Sequence, residues 1–269
     1  MTERSGWVPD DVDTGLPSAA RLYDYLLGGG HNFAADRALA EKFLLAQPNA
    51  RTIARLNRAF LRRAVLHLAA GGVRQFLDLG SGIPTVGNVH EVARRADPGA
   101  RVVYVDFEDV AVAHSRLMLE HDEQAAVVQE DLTDPAAVLA AARGTGLLDF
   151  TEPVGVLVVG VLHFVPPEKD PTAVVAAYRD AVAPGSGLAV SQFTADLQPV
   201  EMAGIVEVMK KSMNPMFPRS CAEITALFSG FDLVEPGVVP LPLWRPEEGA
   251  VQEGDPGRAG ILAGVGHKR

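Results

Sequence analysis

Cysteine is nearly absent from the sequence, because Cys221 is the single cysteine among 269 residues. One cysteine excludes a disulfide framework and a zinc site built on cysteines. Runs of about 18 apolar residues, the length that a membrane span needs, are missing as well. The polar, acidic start from Met1 to Asp13 lacks the apolar stretch of a secretory signal. These absences favour a soluble cytoplasmic protein with no membrane partner.

Positive charge is also scarce, with 24 Lys and Arg residues against 34 Asp and Glu residues and a net charge of −10. This balance opposes long-range attraction to nucleic acid or to an anionic membrane. Hydrophobic residues make up 48% of the chain and charged residues 22%, which is close to the globular average and excludes a disordered or fibrous protein. The length suits one large α/β domain or two small ones.

The pattern of the chain changes twice along its length. Residues 1–16 show little periodicity, and we expect a flexible tail. Residues 17–72 predict helices, with Asn32 as the N-cap of the second. In residues 73–269, short apolar runs alternate with helical stretches, which predicts a doubly wound α/β sheet. The predicted helices of the second part span 17–27, 33–46 and 49–70, and the predicted strands of the third span 74–79, 100–105, 125–128, 154–161, 187–193, 231–236 and 260–266, with a polar loop at 245–258.

The most informative segment is the glycine turn that follows the first predicted strand. Gly80 and Gly82 allow a tight turn and a close approach of the backbone to a ligand. A nicotinamide-type fingerprint would need Gly or Ala where Thr85 stands and an acidic partner about 20 residues on, whereas Asp106 follows Gly80 by 26 residues. Asp78 would repel a pyrophosphate, but it can pair with the ammonium group of a ligand.

Carboxylates stand at the ends of three neighbouring predicted strands, namely Asp78, Asp106 and Asp131. Such strand ends meet at the edge of the sheet where α/β folds bind ligands. Asp106 can accept two hydrogen bonds from ribose hydroxyls, and Asp131 can accept one from an adenine amino group. Phe107 and Leu132 could enclose the base. A single Asp in a turn is ordinary, but the series of three favours a nucleoside-containing ligand.

At these residues the sequence resembles the class I S-adenosylmethionine-dependent methyltransferases, whose first motif is apolar-x-Asp-x-Gly-x-Gly. It is similar, more narrowly, to an actinobacterial S-adenosyl methyltransferase family first catalogued as a domain of unknown function. The likeness covers about residues 17–266. The chain departs from the class I motif by having Ile83, Pro84 and Thr85 in place of a third glycine. It departs from the narrower family at residues 107–109, after the second strand. The matching segments are Asp78 to Thr85, Pro17 to Arg37, Asn57 to Val65, Val161 to Pro166 and Phe231 to Gly237.

This resemblance implies a Rossmann-like sheet of seven strands, mostly parallel with the last strand antiparallel. It implies that residues 17–72 form a helical cap over a cofactor-binding domain at 73–269. It also implies S-adenosyl-L-methionine as methyl donor and S-adenosyl-L-homocysteine as product, and it leaves the methyl acceptor open.

The resemblance also assigns roles to individual residues. Gly80, Ser81 and Gly82 would wrap the methionine moiety of the cofactor, and Asp78 would orient its ammonium group. Asp106 would hold the ribose and Asp131 the adenine. The loop from Gly28 to Asp36 would close over the cofactor. The residues of the N-terminal part expected near the cofactor are Asn32 and Phe33, with Tyr23 and Arg37 as weaker candidates.

Methyl transfer from a sulfonium is a direct displacement, so a general base is needed only where the acceptor must lose a proton. His163, after the fourth predicted strand, is the candidate catalytic residue; the alternative is a strand-end histidine with a structural role. His31, on the cap loop, is a weaker candidate. His114, His121 and the carboxylates show no metal-ligand spacing, so we expect no metal.

Two periodic patterns in the sequence each allow two interpretations. An arginine stripe on the third helix is either a solvated face or a contact for phosphate or nucleic acid. A group of four methionines is either core or a lid over a small, partly apolar acceptor. The stripe consists of Arg51, Arg55, Arg58 and Arg62, and the methionines are Met202, Met209, Met213 and Met216.

The resulting hypothesis is a methyltransferase that acts on a small-molecule acceptor. The alternatives are a non-catalytic module that binds S-adenosylmethionine or S-adenosylhomocysteine, and a nucleic-acid methyltransferase that uses the arginine stripe. A nicotinamide-dependent oxidoreductase is disfavoured by Asp78 and Thr85.

Overall fold

The computed structural model describes residues 13–84, 87–247 and 255–269. Thr85, most of the predicted tail and the middle of the predicted polar loop therefore lie outside the described residues. No helix in the described ranges is long and apolar enough to cross a membrane.

Three helices lead into the sheet, namely α1 (Ala19–Leu27), α2 (Ala34–Ala46) and α3 (Ala50–Ala70). Ser18 caps α1 by accepting a hydrogen bond from the backbone N–H of Arg21. Gly28 ends α1 in the left-handed conformation with φ 88°. On α3, Phe60, Ala64 and Leu68 recur at helical spacing and are fully buried against the sheet.

The predicted N-cap of α2 is wrong, because Phe33 takes this position instead of Asn32. The Asp36 carboxylate satisfies the start of the helix by accepting the backbone N–H of Phe33 at 2.8 Å. Asn32 uses its side-chain amide elsewhere, donating to Asp24 at 2.9 Å and to the carbonyl of Gly29 at 3.0 Å.

Strands and helices alternate through the rest of the chain, as expected for a doubly wound sheet. The elements are β1 (Gln75–Leu79), α4 (Val89–Ala96), β2 (Arg101–Asp106), α5 (Asp109–Met118), β3 (Ala125–Gln129), α6 (Pro135–Gly144), β4 (Val154–Val159), α7 (Pro171–Ala181), β5 (Gly187–Phe193), α8 (Pro199–Met209), α9 (Cys221–Ala226), β6 (Phe231–Leu233), β7 (Val239–Pro240) and β8 (Ile261–Lys268).

The sheet order is β3-β2-β1-β4-β5-β8-β6, with β7 also paired to β8. Strands β1 to β5 are parallel, whereas β8 runs antiparallel to β5, β6 and β7. The predicted mixed sheet with an antiparallel last strand is thus confirmed. It has eight strands among the described residues instead of the expected seven, because β7 adds two residues beside Leu262 and Ala263. A two-residue strand is too short to leave a periodic pattern in the sequence.

Buried apolar clusters cover both faces of the sheet. Helices α1 to α4 and α8 contribute to the cluster on one face. Helices α6 and α7 contribute to the cluster on the other, together with Leu227 and Phe228, which follow α9. Strand β4 supplies Leu157 to the first cluster and Val156 and Val158 to the second, as expected for a central parallel strand. This packing sets α1 and α3 beside the carboxyl ends of the parallel strands.

Candidate active site

A cavity of about 310 Å³ lies at the carboxyl ends of β1, β2 and β4 and extends under α1 and α3. This is the usual location of a ligand site in an open parallel sheet. The structure brings most of the predicted site residues to this one cavity. Those that line it are Asp78, Gly80, Ser81, Gly82, Asp106, Phe107, Asp131, Leu132 and His163.

The glycine loop turns tightly where β1 ends. The backbone N–H groups of Gly80 and Ser81 both donate to the carbonyl of Val105, at 2.8 and 3.0 Å. Gly80 has φ 69°, and a Cβ added there would lie 2.3 Å from a methyl carbon of Val161. A Cβ added at Gly82 would meet no described atom within 4 Å, so the loop is open to the cavity at this residue.

Asp106 joins the end of β2 to the glycine loop. Its Oδ2 accepts the N–H of Gly82 at 2.7 Å, and its Oδ1 accepts the N–H of Glu108 at 2.9 Å. Burial raises the pKa of Asp106, while the backbone N–H groups act against this rise by stabilising the carboxylate. Each oxygen keeps a further lone pair, so the carboxylate can still accept hydrogen bonds from ligand hydroxyls.

Asp78 is a buried carboxylate near the end of β1. Its residue is 6% exposed, and no hydrogen bond to its side chain is found within the described part of the chain. Burial raises the pKa of Asp78 to about 7, although the nearby Arg58 guanidinium lowers it. A buried carboxylate that accepts no hydrogen bond from a described residue is costly, so this position suits a ligand that brings its own cationic donor.

The third strand end forms the far side of the cavity. Strand β3 stops at Gln129, so Asp131 follows the strand by two residues instead of ending it. Asp131 accepts the N–H of Thr133 at 2.8 Å and is exposed. Leu132 is buried, while Phe107 is 48% exposed. An apolar ring and an accessible carboxylate therefore both line the cavity.

Asn32 and Phe33 are described residues that do not line this cavity. Asn32 holds the loop together by hydrogen bonding Asp24, and its backbone carbonyl accepts from Arg37 at 2.9 Å. Phe33 packs against a small cluster that includes Ile83. Both residues therefore organise the loop between α1 and α2.

His163 lines the cavity next to two aromatic rings. Its residue is 3% exposed, and its ring centroid lies 4.3 Å from that of Phe164 and 4.9 Å from that of Phe193. Burial, with a contribution from Arg219, lowers the pKa of His163 to about 3. The ring is therefore neutral near pH 7, where it can hydrogen bond but is a weak base. Its Nδ1 has no hydrogen-bond partner among the described residues.

Sequence reasoning underestimated a polar group that α1 and α3 bring to the cavity. Asn57 donates to the Tyr23 hydroxyl at 3.2 Å and accepts from Ser191 at 2.5 Å, and the Tyr23 hydroxyl donates to the carbonyl of Ala54 at 3.0 Å. Tyr23 and Asn57 both line the cavity. The available sequence signal was Asn57 itself, a polar residue inside the apolar stripe of a predicted helix.

The arginine stripe does not act as one surface. Arg58 lines the cavity and donates to the carbonyl of Gly87 at 3.0 Å. Arg51 donates to the carbonyl of Tyr25, and Arg62 pairs with a glutamate at the surface. Among the methionines, Met209, Met213 and Met216 line the cavity, whereas Met202 is core.

The comparisons with known proteins agree with this geometry. The family model described as S-adenosyl methyltransferase matches residues 5–269. A Thermobifida fusca protein assigned as a methyltransferase is 41% identical, with a TM-score of 0.92 over 98% of this chain and 100% of its own. A DUF574 family protein from Streptomyces avermitilis is 35% identical, with a TM-score of 0.91 over 96% of this chain and 99% of its own.

A more distant structure shares the fold alone. It is an O-methyltransferase family protein from Burkholderia thailandensis, 14% identical with a TM-score of 0.52 over 91% of this chain and 63% of its own. Comparison with curated proteins finds no match.

Proposed function

The chain belongs to the S-adenosyl methyltransferase family, and from this premise we propose that it transfers the methyl group of S-adenosylmethionine to a small-molecule acceptor. One observation carries the proposal. A single cavity contains the carboxylates suited to the methyl donor and also reaches apolar side chains buried under α1 to α3. A donor and a small acceptor could therefore meet inside it.

The residues of the cavity fit the methyl donor. Asp78 is a buried carboxylate without a donor, and the buried Ser81 hydroxyl lacks a hydrogen-bond partner among the described residues. When bound, S-adenosylmethionine supplies a methyl group on a positively charged sulfonium, already activated for direct displacement. In our proposal Asp78 binds its ammonium group, Asp106 its ribose hydroxyls and Asp131 its adenine amino group.

The protein then contributes alignment and exclusion of water, which supply most of the catalysis for an activated donor. His163 is neutral near pH 7, so we propose that it hydrogen bonds and positions the acceptor. We also propose that residues 17–72 act as a cap, because Tyr23 and Arg58 from this part line the same cavity as the strand ends. The lone free thiol, Cys221, is exposed and suits a reducing cytoplasm.

No observation favours the alternative functions. A nucleic-acid methyltransferase would use the arginine stripe as a surface, but Arg58 lies at the cavity and Arg62 is paired with Glu247. A non-catalytic module would have no need for the apolar part of the cavity.

Calorimetry tests the proposed donor directly. We expect saturable binding of S-adenosylmethionine and S-adenosylhomocysteine and no binding of NAD. Asp106→Ala should weaken the binding of both ligands by roughly ten- to a hundredfold, because a hydrogen bond to a charged group is worth about 1.5–3 kcal/mol. Unchanged affinity in a folded variant would refute the ribose assignment, and binding of NAD alone would refute the donor.

A second prediction concerns the carboxylate end of the donor. Arg58 lines the cavity, and its positive charge lowers the pKa of Asp78. An ammonium group at Asp78 and a carboxylate at Arg58 would match an amino acid. We expect Arg58→Gln to weaken S-adenosylmethionine binding by roughly tenfold or more.

The test compares S-adenosylmethionine with its decarboxylated analogue. Arg58→Gln should lose more affinity for the first than for the second, because removing Arg58 also raises the pKa of Asp78 and so weakens the binding of both ammonium groups. Arg55→Gln, at an exposed position of the same helix, is the matched control and should bind both as wild type does. Equal losses for both ligands in Arg58→Gln would show that Arg58 supports the fold instead of the carboxylate.

A further inference from the structure

The inner part of the cavity is an apolar chamber. It is lined by buried side chains from α1, α2, α3, α8 and the segment after α8. All of them belong to the one apolar cluster on that face of the sheet. The chamber residues are Leu22, Leu26, Phe43, Ile53, Met209 and Met216. Because helices cover them, a molecule that occupies this chamber must be small.

None of the six chamber residues carries a charge. The acidic and basic residues that line the cavity, apart from His163, stand at strand ends, in turns and at one position of α3. They are Arg58, Asp78, Asp106, Glu108, Glu130, Asp131 and Lys169. A charged group placed in the apolar chamber would lose its hydration without gaining an opposite charge, at a large cost in free energy. The chamber therefore selects against ions.

His163 is a polar group that contacts the chamber's apolar cluster through an aromatic ring. The Phe193 ring meets the His163 ring edge-on, with centroids 4.9 Å apart, and Phe193 belongs to the same apolar cluster as the chamber residues. Phe164 and Tyr23 add further ring surface to the cavity wall. Aromatic walls pack well against planar rings, and methionine side chains adapt to varied shapes.

Hydrogen bonds to its backbone carbonyls hold the turn that carries His163. Arg219 donates to the carbonyls of Leu162 at 2.7 Å and Val165 at 2.6 Å, on either side of His163. The carbonyl of His163 accepts the N–H of Phe217 at 2.7 Å. The imidazole is thus held at the cavity by contacts that leave its Nδ1 without a partner in the described part of the chain. A buried nitrogen that lacks a hydrogen-bond partner is costly, and a bound ligand can supply that partner.

We propose that the acceptor is an uncharged aromatic molecule that lies in the apolar chamber and presents one hydroxyl group to His163. This inference rests on the proposed function and narrows its substrate class. A hydroxyl group both donates and accepts, so it pairs with either tautomer of a neutral imidazole. The rings and the apolar side chains supply the remaining contact surface.

Three related probes test this chemistry on protein saturated with S-adenosylhomocysteine, which keeps them out of the donor site. The probes are 2-naphthol, naphthalene and 2-naphthoate at pH 7.5, with binding measured by equilibrium dialysis. We expect 2-naphthol to bind roughly two- to tenfold tighter than naphthalene, the value of one neutral hydrogen bond. We expect 2-naphthoate to bind at least roughly tenfold more weakly than 2-naphthol because its charge is desolvated.

Two variants locate the probe. His163→Phe should remove the difference between 2-naphthol and naphthalene, whereas His121→Phe, at an exposed histidine outside this cavity, should keep it. Ile53→Trp should fill the chamber and weaken both neutral probes by at least roughly tenfold. If His163→Phe does not fold, the wild-type probe series still tests the acceptor class, and Ile53→Trp still tests whether the probe binds in the chamber.

The outcomes separate this inference from the function on which it rests. Failure of the wild-type protein to bind S-adenosylhomocysteine would overturn the proposed function itself. Normal S-adenosylhomocysteine binding with 2-naphthoate bound as tightly as 2-naphthol, or with no probe bound, would overturn the acceptor class alone.

Discussion

Asp78→Asn is expected to weaken the binding of S-adenosylmethionine by roughly ten- to a hundredfold and, at the same time, to stabilise the ligand-free protein. The first effect follows if the Asp78 carboxylate binds the donor's ammonium group. The second follows from its burial, because Asp78 is 6% exposed and has no hydrogen bond from a described residue. Binding and folding therefore make opposite demands on this one side chain.

The sign of the stability effect follows from proton linkage. The pKa of Asp78 rises from 3.8 in the unfolded chain to about 7 in the fold. A raised pKa means that the fold prefers the neutral acid, so its contribution to stability is complete below pH 3.8 and is lost as the pH rises through about 7. At about 1.4 kcal/mol per pH unit, the loss approaches about 4 kcal/mol. Asparagine stays neutral at every pH, so Asp78→Asn avoids this loss of stability.

Urea unfolding at pH 5 and pH 8 measures this effect. Asp78→Asn should gain more stability over wild type at pH 8 than at pH 5. Asp122→Asn is the control of opposite sign, since Asp122 pairs with Arg94 at 2.6 Å and its pKa is lowered. A loss of stability in Asp78→Asn at pH 8 would show that the carboxylate has a stabilising partner.

The same titration should appear in ligand binding. The donor's cation requires an ionised Asp78, so the affinity of wild type should fall as the pH drops below about 7, by up to about tenfold per pH unit. Asp78→Asn should bind weakly with a flat dependence across the same range. A flat wild-type profile would contradict the pairing of Asp78 with the ammonium group.

Local sequence patterns predicted the parts of the cavity that single strands and turns build. Gly80, Gly82 and Asp106 belong to strand–turn–helix units whose apolar runs and turn residues are visible within a few positions. Parallel pairing then places the carboxyl ends of these strands at one edge of the sheet, independently of how the helices pack. The structure brings them together as expected.

Residues that reach the cavity through tertiary packing were not predictable in the same way. Arg58 has the same spacing as Arg51 and Arg62, and only the docking of α3 against the strand ends distinguishes it. The Asn32 cap was wrong because Oδ1 of Asn32, the atom that a cap would use, accepts from Arg37 at 3.2 Å, while its Nδ2 donates to Asp24 on α1. Propensity is a weak guide where a partner from another helix is available.

Arg21 illustrates how this tertiary packing is held together. Its guanidinium is 1% exposed and contacts two carboxylates, Asp36 at 2.9 Å and Glu108 at 2.5 Å. Asp36 starts α2, and the N–H of Glu108 donates to Asp106 at 2.9 Å. One buried cation therefore connects the N-terminal helices to the loop that carries the proposed ribose ligand.

Arg21→Met should destabilise the protein by about 3–5 kcal/mol, because it leaves two buried carboxylates without their cation. Burial raises the pKa of Glu108 and Arg21 lowers it, so Glu108 should take up a proton more readily in the variant. The deficit in unfolding free energy should therefore shrink as the pH falls. Urea unfolding at several pH values measures both the loss of unfolding free energy and its dependence on pH.

Arg62→Met provides the matched control, because Arg62 makes a surface ion pair with Glu247 and such pairs contribute about 0–1 kcal/mol. Combining Arg21→Met with Glu108→Gln should recover part of the lost stability, because the double variant has one buried carboxylate without a cation instead of two. A cost for Arg21→Met no larger than that for Arg62→Met would mean that the N-terminal helices are held by apolar packing alone. A large cost that Glu108→Gln partly reverses would show that the cap and the proposed ribose site are coupled through this buried ion cluster.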